Sequence, residues 1–236
     1  MNKHFPRGLS NDSLLAYKRL DEDPDFFLRE LWLAIGSMNE DGTGKAPLSD
    51  IEYDLFRRIC EPDTTISVIL GTRGLGKTYL LTAGAARSLF RDPERKIVFV
   101  CKSSQAADRT SQLLRGWFET VPFLRHLAPR RGQRDNVKSF DVGPASATRQ
   151  PSVSAIGIGG TLENNRAHSV FPDDVETIQN TLTFDARERL FHQCQEFTQW
   201  LFPSIPYEKG GSRDPNQVTF FLTPKHDESI AAKLEK

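Results

Sequence analysis

Residues 66–78 read ISVILGTRGLGKT, an apolar run that ends in Gly-x-x-x-x-Gly-Lys-Thr and leads directly into the helix-forming stretch YLLTAGAARSLF at 79–90. A strand before this spacing and a helix after it is the context in which it folds as a phosphate-binding loop. Gly71, Gly74 and Gly76 allow a tight turn. The N–H groups along Gly71, Thr72, Arg73, Gly74, Leu75, Gly76, Lys77 and Thr78 can then face phosphate oxygens, aided by the positive end of the following helix. Lys77 is expected to bridge the β- and γ-phosphates, and Thr78 to offer its hydroxyl to a magnesium ion. These residue types imply ATP with Mg2+. A second glycine-rich stretch, GIGGT at 157–161, lacks a lysine and reads as a turn near the site.

Outward from the loop, short apolar runs alternate with longer helical segments. IVFVC at 97–101 precedes a helix from about Ser104, and SVSAIGI at 152–158, HSVF at 168–171 and VTFFL at 218–222 supply further strands. Such alternation predicts an α/β fold with a central, mostly parallel sheet between helical layers. Asp185 is expected to cap a helix whose Leu190, Cys194, Phe197 and Leu201 form a core-facing stripe. Upstream, helical spacing over Asn11 to Ile35 is broken at Pro24. A loop over MNEDGTGKAP follows, and Ser49-x-x-Glu52 forms a capping box for the next helix. Residues 1–44 are expected to be a helical lead-in packed on a domain spanning 45–236.

A phosphate loop needs a carboxylate at the end of a neighbouring strand to hold magnesium, and HSVFPDDVE at 168–176 supplies one. Asp173 takes that position. Asp174 stands where an acid that polarises the attacking water is needed, and Glu176 competes with it. Aspartate is the shorter side chain, but Glu176 lies beyond the strand end. Asp174 is the favoured base.

These residues carry a family resemblance. GTRGLGKT, then GGTLENNRAHSVFPDDVE, then VTFFLTPKHDES resemble, in order and spacing, the ATPase motifs of the large terminase subunits of tailed bacteriophages, especially those of short-tailed phages. The likeness runs over roughly residues 45–236. It implies a three-layer P-loop ATPase of the additive-strand type that hydrolyses ATP to drive double-stranded DNA into a procapsid. Arg73, inside the loop, and Arg166, before the Walker B strand, match the family's arginines and are candidates for stabilising charge on the γ-phosphate, within one subunit or across a ring. Thr223 matches the coupling motif, whose usual glycine is replaced here by Leu222. The resemblance further implies a portal protein and a small terminase subunit as partners, a homo-oligomeric ring when docked, and a place in the host cytoplasm, transiently at the portal vertex. Full-length members continue into a nuclease. This sequence stops about a dozen residues after Thr223, so no nuclease activity is expected of it.

Bulk composition sets the remaining bounds. Thirty-one basic residues balance thirty-one acidic ones, so a DNA contact has to come from a local patch. The segment RHLAPRRGQRDNVK at 125–138 offers Arg125, Arg130, Arg131, Arg134 and Lys138, as a sequence-independent phosphate contact or as a solvated loop. Cys60, Cys101 and Cys194 are too dispersed for a disulfide framework, and the five histidines show no zinc spacing. No run reaches the length of a membrane span or a signal peptide. The runner-up reading is a nucleic-acid helicase or remodelling ATPase, which would usually need a second lobe. A non-hydrolysing nucleotide-binding interaction domain is a third.

Overall fold

A computed structural model of the protein describes residues 5–6, 8–36, 47–160, 166–204, 214–223, 230 and 233. The loop at 38–46, the end of the second glycine-rich stretch and Pro224 lie outside the described residues.

The sequence breaks where its chemistry breaks. Helix α1 (Asn11–Glu22) stops one residue short of Pro24, which opens α2 (Pro24–Gly36). Proline suits that first position because its missing N–H has no intrahelical partner there. Asp23 serves both helices: its N–H bonds Arg19 O, and its carboxylate accepts from Phe26 N–H at 2.9 Å. Helix α3 (Asp50–Cys60) begins at the expected cap, where Glu52 accepts the Ser49 N–H at 2.7 Å.

Among the described residues the core is a six-stranded sheet. Its strands are β1 (Ile66–Leu70), β2 (Ile97–Cys101), β3 (Ser139–Phe140), β4 (Val153–Gly157), β5 (Ser169–Asp173) and β6 (Gln217–Leu222), in the spatial order β1-β6-β5-β2-β4-β3. Every pairing is parallel except β3 with β4. Alternate residues of one strand feed opposite layers. Ile97, Phe99 and Cys101 join the cluster formed with α1–α3, α4 (Lys77–Arg91) and α5 (Ser104–Thr120). Val98 and Val100 join the cluster formed with α7 (Phe184–Glu196) and the 3-10 turn Phe197–Trp200. Burial on both faces explains why these strands read as continuous apolar runs. The first layer is aromatic at its centre, with Phe27 against Phe56 at 6.3 Å, Phe90 at 5.8 Å and Phe123 at 5.5 Å. Leu190, Cys194 and Phe197 are buried as expected, with Leu201 packed beside them.

Three details differ from the sequence reading. The cap of α7 is Thr183, whose side chain accepts from Ala186 N–H at 3.2 Å, so Asp185 sits inside the first turn. β5 runs on through Pro172 to Asp173, which follows from a neighbour register that continues to that point. β3 and the short helix α6 (Ile178–Thr181) have no periodic signal because each is too brief to show one.

All three cysteines are free and buried, and burial pushes the Cys60 and Cys101 thiols up to about 12. They are inert packing groups. A buried polar knot fixes the amino ends of the strands: Arg95, wholly buried, donates to Asp214 O at 2.6 Å, Pro215 O at 2.7 Å and Ser169 Oγ at 3.1 Å. Beside it, His168 Nδ1 accepts the Lys96 N–H at 2.8 Å. Burial first, and then the Arg95 cation, lower the imidazole from 6.5 to about 4. The unfolded chain therefore binds a proton that the fold excludes, and stability is lost as pH falls from 6.5 through about 4. Thermal melting across that range should show a steeper decline for the natural chain than for His168→Gln. Parallel curves would contradict this account.

Candidate nucleotide site

Strand register gathers the motifs. Leu70 lies beside Leu222, and Phe221 beside Asp173, so the carboxyl ends of β1, β6 and β5 form one rim. Gly71 crosses that rim with its N–H on Leu222 O at 3.0 Å. A β-carbon at Gly71 would lie 2.8 Å from Leu75 Cδ2 and 2.9 Å from Phe221 Cε2, so any larger residue would have to displace both side chains. Gly76, with φ +70°, is the N-cap of α4 and occupies the left-handed region that glycine enters without penalty.

Lys77 folds back over the loop it follows. Its Nζ donates to Gly71 O at 3.1 Å, Thr72 O at 3.0 Å and Thr223 Oγ1 at 2.7 Å. Phosphate oxygens approaching the loop would compete with these neutral acceptors for the ammonium. Thr78 Oγ1 donates to Asp173 Oδ2 at 2.5 Å. Burial raises the Asp173 pKa, opposed by the Thr78 hydrogen bond and by Lys77 and Lys102, and reinforced by Asp174.

This pair of hard oxygens, one of them a buried carboxylate that burial disfavours as an anion, fits magnesium. Mg2+ takes one or two protein oxygens and fills its octahedron with phosphates and water. Among the described residues no three His, Cys, Asp or Glu side chains cluster as a metal cage.

Asp174 is the one non-glycine residue with positive φ among the described residues, at 47°. Left-handed backbone costs an L-residue about 1–2 kcal/mol, with Asp and Asn among the residues that enter it most readily. The turn sends the Asp174 N–H to Phe221 O at 3.0 Å and brings its Oδ1 to the Thr223 N–H at 3.3 Å. Thr223 therefore touches Lys77 through its hydroxyl and Asp174 through its backbone. Glu176 goes elsewhere. It is 1% exposed, and its Oε1 accepts the Ile230 N–H at 2.6 Å.

Of the two arginines, Arg73 is exposed within the loop and makes no hydrogen bond or ion pair among the described residues. Arg166 lies elsewhere. It precedes β5, at the amino end of the sheet, and donates to Gln199 O at 2.7 Å. It lies seven positions before Asp173, and extended chain rises about 3.3 Å per residue, so it stands roughly 20 Å along the strand from that carboxylate. One residue escaped the sequence reading: Lys102 follows Cys101, which pairs with Asp173 across β2 and β5. No linear pattern marks it, because its place depends on which strands are neighbours.

No protein-family model matches the chain. Among curated proteins, the chain is similar to the terminase large subunit of Enterobacteria phage T3, with 34% identity over 227 residues. The match takes in 96% of this chain and 36% of that protein, so the chain spans about a third of its relative's length. Among solved structures, the HK97 bacteriophage large terminase superposes with a TM-score of 0.52 at 15% identity, over 86% of this chain and 39% of that one. A Dbp5 chain from S. cerevisiae, bound to Gle1 and IP6, superposes with a TM-score of 0.50 at 15% identity, over 87% of this chain and 47% of that one. At such identities these two structures share the fold alone.

Proposed function

This chain is a relative of phage large terminase subunits across 96% of its length, and from that premise we propose that it is the ATP-hydrolysing motor domain of a machine that drives double-stranded DNA into a procapsid. The supporting observation is the convergence of three distant motifs on one rim, with Thr78 on Asp173 at 2.5 Å and Lys77 on Thr223 at 2.7 Å. Residues 45–236 form the motor unit in this reading, with 1–44 as its lead-in.

The loop N–H groups and Lys77 bind the triphosphate. Thr78 and Asp173 would hold Mg2+, which when bound would supply positive charge against the phosphates. Asp174 accepts the proton of the attacking water. Arg73 adds positive charge near the γ-phosphate, and Arg166, at the amino end of β5, is the candidate to do so for a neighbouring subunit in a ring. Thr223, bonded on one side to the phosphate-binding lysine and on the other to the base, carries the state of the nucleotide into β6. The partners in this reading are DNA, the portal and the small terminase subunit, with the work done at the portal vertex in the host cytoplasm. No helix among the described residues is long and apolar enough to cross a membrane. The helicase alternative draws on the same fold and gains no support from individual residues.

If a neighbour completes the site, hydrolysis per subunit rises with protein concentration or on addition of portal assemblies. Phosphate release measured over a dilution series tests this. Turnover that is high and flat on dilution would mean a self-sufficient site.

A further inference from the structure

The basic segment before β3 is folded, and most of its cations form no ion pair among the described residues. Gly132 turns with φ +88°. Gln133 closes that turn, its N–H on Arg130 O at 3.0 Å and its Oε1 accepting the Arg130 N–H at 2.7 Å. The Gln133 amide also ties the turn to Val142 O at 3.2 Å. A few residues on, Asn136 Oδ1 accepts the N–H groups of Lys138 and Ser139 at 3.0 and 2.9 Å. The neighbouring charges are consumed. Arg134 faces Asp141 at 3.6 Å, and Arg115 takes up Asp135 and Glu119. Arg125, Arg130, Arg131 and Lys138 remain, all exposed and with no ion pair to their side chains among the described residues.

We infer that this pre-formed loop is a contact for the phosphate backbone of double-stranded DNA. The choice of DNA as the polyanion rests on the packaging reading above, and the form of the loop narrows it further. Grooves for single strands stack bases on aromatic rings, and residues 127–138 contain no aromatic residue. Four cations without a base-reading surface suit a backbone contact indifferent to sequence. A chain of net charge zero has no general field to attract DNA, so a local cluster is where binding energy can concentrate.

The location also suits a motor. Ser139 and Phe140 pair with Ser154 and Val153, at the amino end of the parallel strands and the far edge from β1. Arg134 O accepts the Asp141 N–H at 2.9 Å and Leu127 O the Gly143 N–H at 3.1 Å. The turn bearing Arg130 and Arg131 therefore sits beside residues 141–143, past the amino end of β4 and away from the nucleotide rim, while Lys138, whose O accepts the Ala155 N–H at 2.9 Å, lies level with the middle of that strand. One helix joins the two: α5 starts just past Lys102 and ends at the turn Pro122–Leu127 that bears Arg125. Its 17 residues span about 25 Å. A shift at the rim can thus reach the loop as rigid-body movement of a single element.

The test is a salt titration of duplex binding by the full chain, using two unrelated sequences and one single strand as probes. Arg130→Ala with Arg131→Ala is compared with Lys18→Ala and Arg189→Ala, a pair of equal charge change on the exposed surfaces of α1 and α7. Removing two phosphate contacts should make the slope of log affinity against log salt shallower by about 1.8. Between about 50 and 200 mM salt the natural chain should therefore lose about tenfold more affinity than the loop variant. Both duplexes should respond alike, the control pair should keep the natural slope, and DNA-independent hydrolysis should be unchanged in the loop variant. An unchanged slope, an equal effect of the control pair, or tighter binding of the single strand than of duplex would each overturn the inference. Loss of basal hydrolysis in the natural chain would instead fall on the motor reading and leave the slope comparison intact.

Discussion

Asp174→Asn should lower single-turnover ATP hydrolysis by a factor on the order of a hundred or more, the scale of a lost general base, while ATP still binds. The geometry separates the two candidate acids. The Asp174 carboxylate reaches the Thr223 N–H, beside the hydroxyl that holds Lys77, so it lies on the rim where the γ-phosphate would stand. The Glu176 carboxylate is buried against the Ile230 N–H. Glu176→Gln keeps an acceptor for that bond, so this variant should retain most of the hydrolysis rate and show its effect in thermal stability. Asparagine keeps the shape of Asp174 and tolerates left-handed backbone, so the Asp174 variant should fold. If Glu176→Gln is the inactive enzyme and Asp174→Asn still turns over, the base has been assigned to the wrong residue.

The sequence and the fold agree most closely where one local rule suffices. Gly-x-x-x-x-Gly-Lys-Thr between a strand and a helix is such a case, and so is a continuous apolar run such as 97–101, which can be satisfied only by burial on both faces. The expected α/β class with a mostly parallel sheet follows from these runs, and the superposition on a phage large terminase is consistent with it. Illegible features depend on which strands become neighbours. The sequence shows Arg166 a few residues before Asp173, yet Arg166 precedes β5 and Asp173 ends it, so the extended strand carries the two apart. Lys102 lies seventy-one positions before Asp173 in the chain, and only the β2–β5 register brings it near. The left-handed turn at Asp174 was hidden for another reason. An acidic pair after an apolar run signals a turn without saying which residue takes the positive φ. Arg95 carries no local mark of burial in RDPERK, because that burial requires the carbonyls of Asp214 and Pro215, more than a hundred residues away.

The central claim is that the loop at 71–78 binds and hydrolyses ATP, and Lys77 bears most of it. Three acceptors gather around its ammonium, the carbonyls of Gly71 and Thr72 and the hydroxyl of Thr223. The phosphates would replace them with charged oxygens, and hydrogen bonds between ionised partners are roughly twice as strong as neutral ones. Alanine removes the one cation positioned between the β- and γ-phosphates and detaches Thr223 from the loop. The lysine side chain is only partly buried, so the variant should fold. The direct measurement is phosphate release from ATP with Mg2+ by the natural chain and by Lys77→Ala, at equal concentration and with bound nucleotide quantified in parallel. The natural chain should release phosphate, and the variant should show no turnover above background and weaker nucleotide binding. Undiminished turnover in Lys77→Ala, or tight nucleotide binding by the natural chain with no phosphate released over hours, would contradict the account.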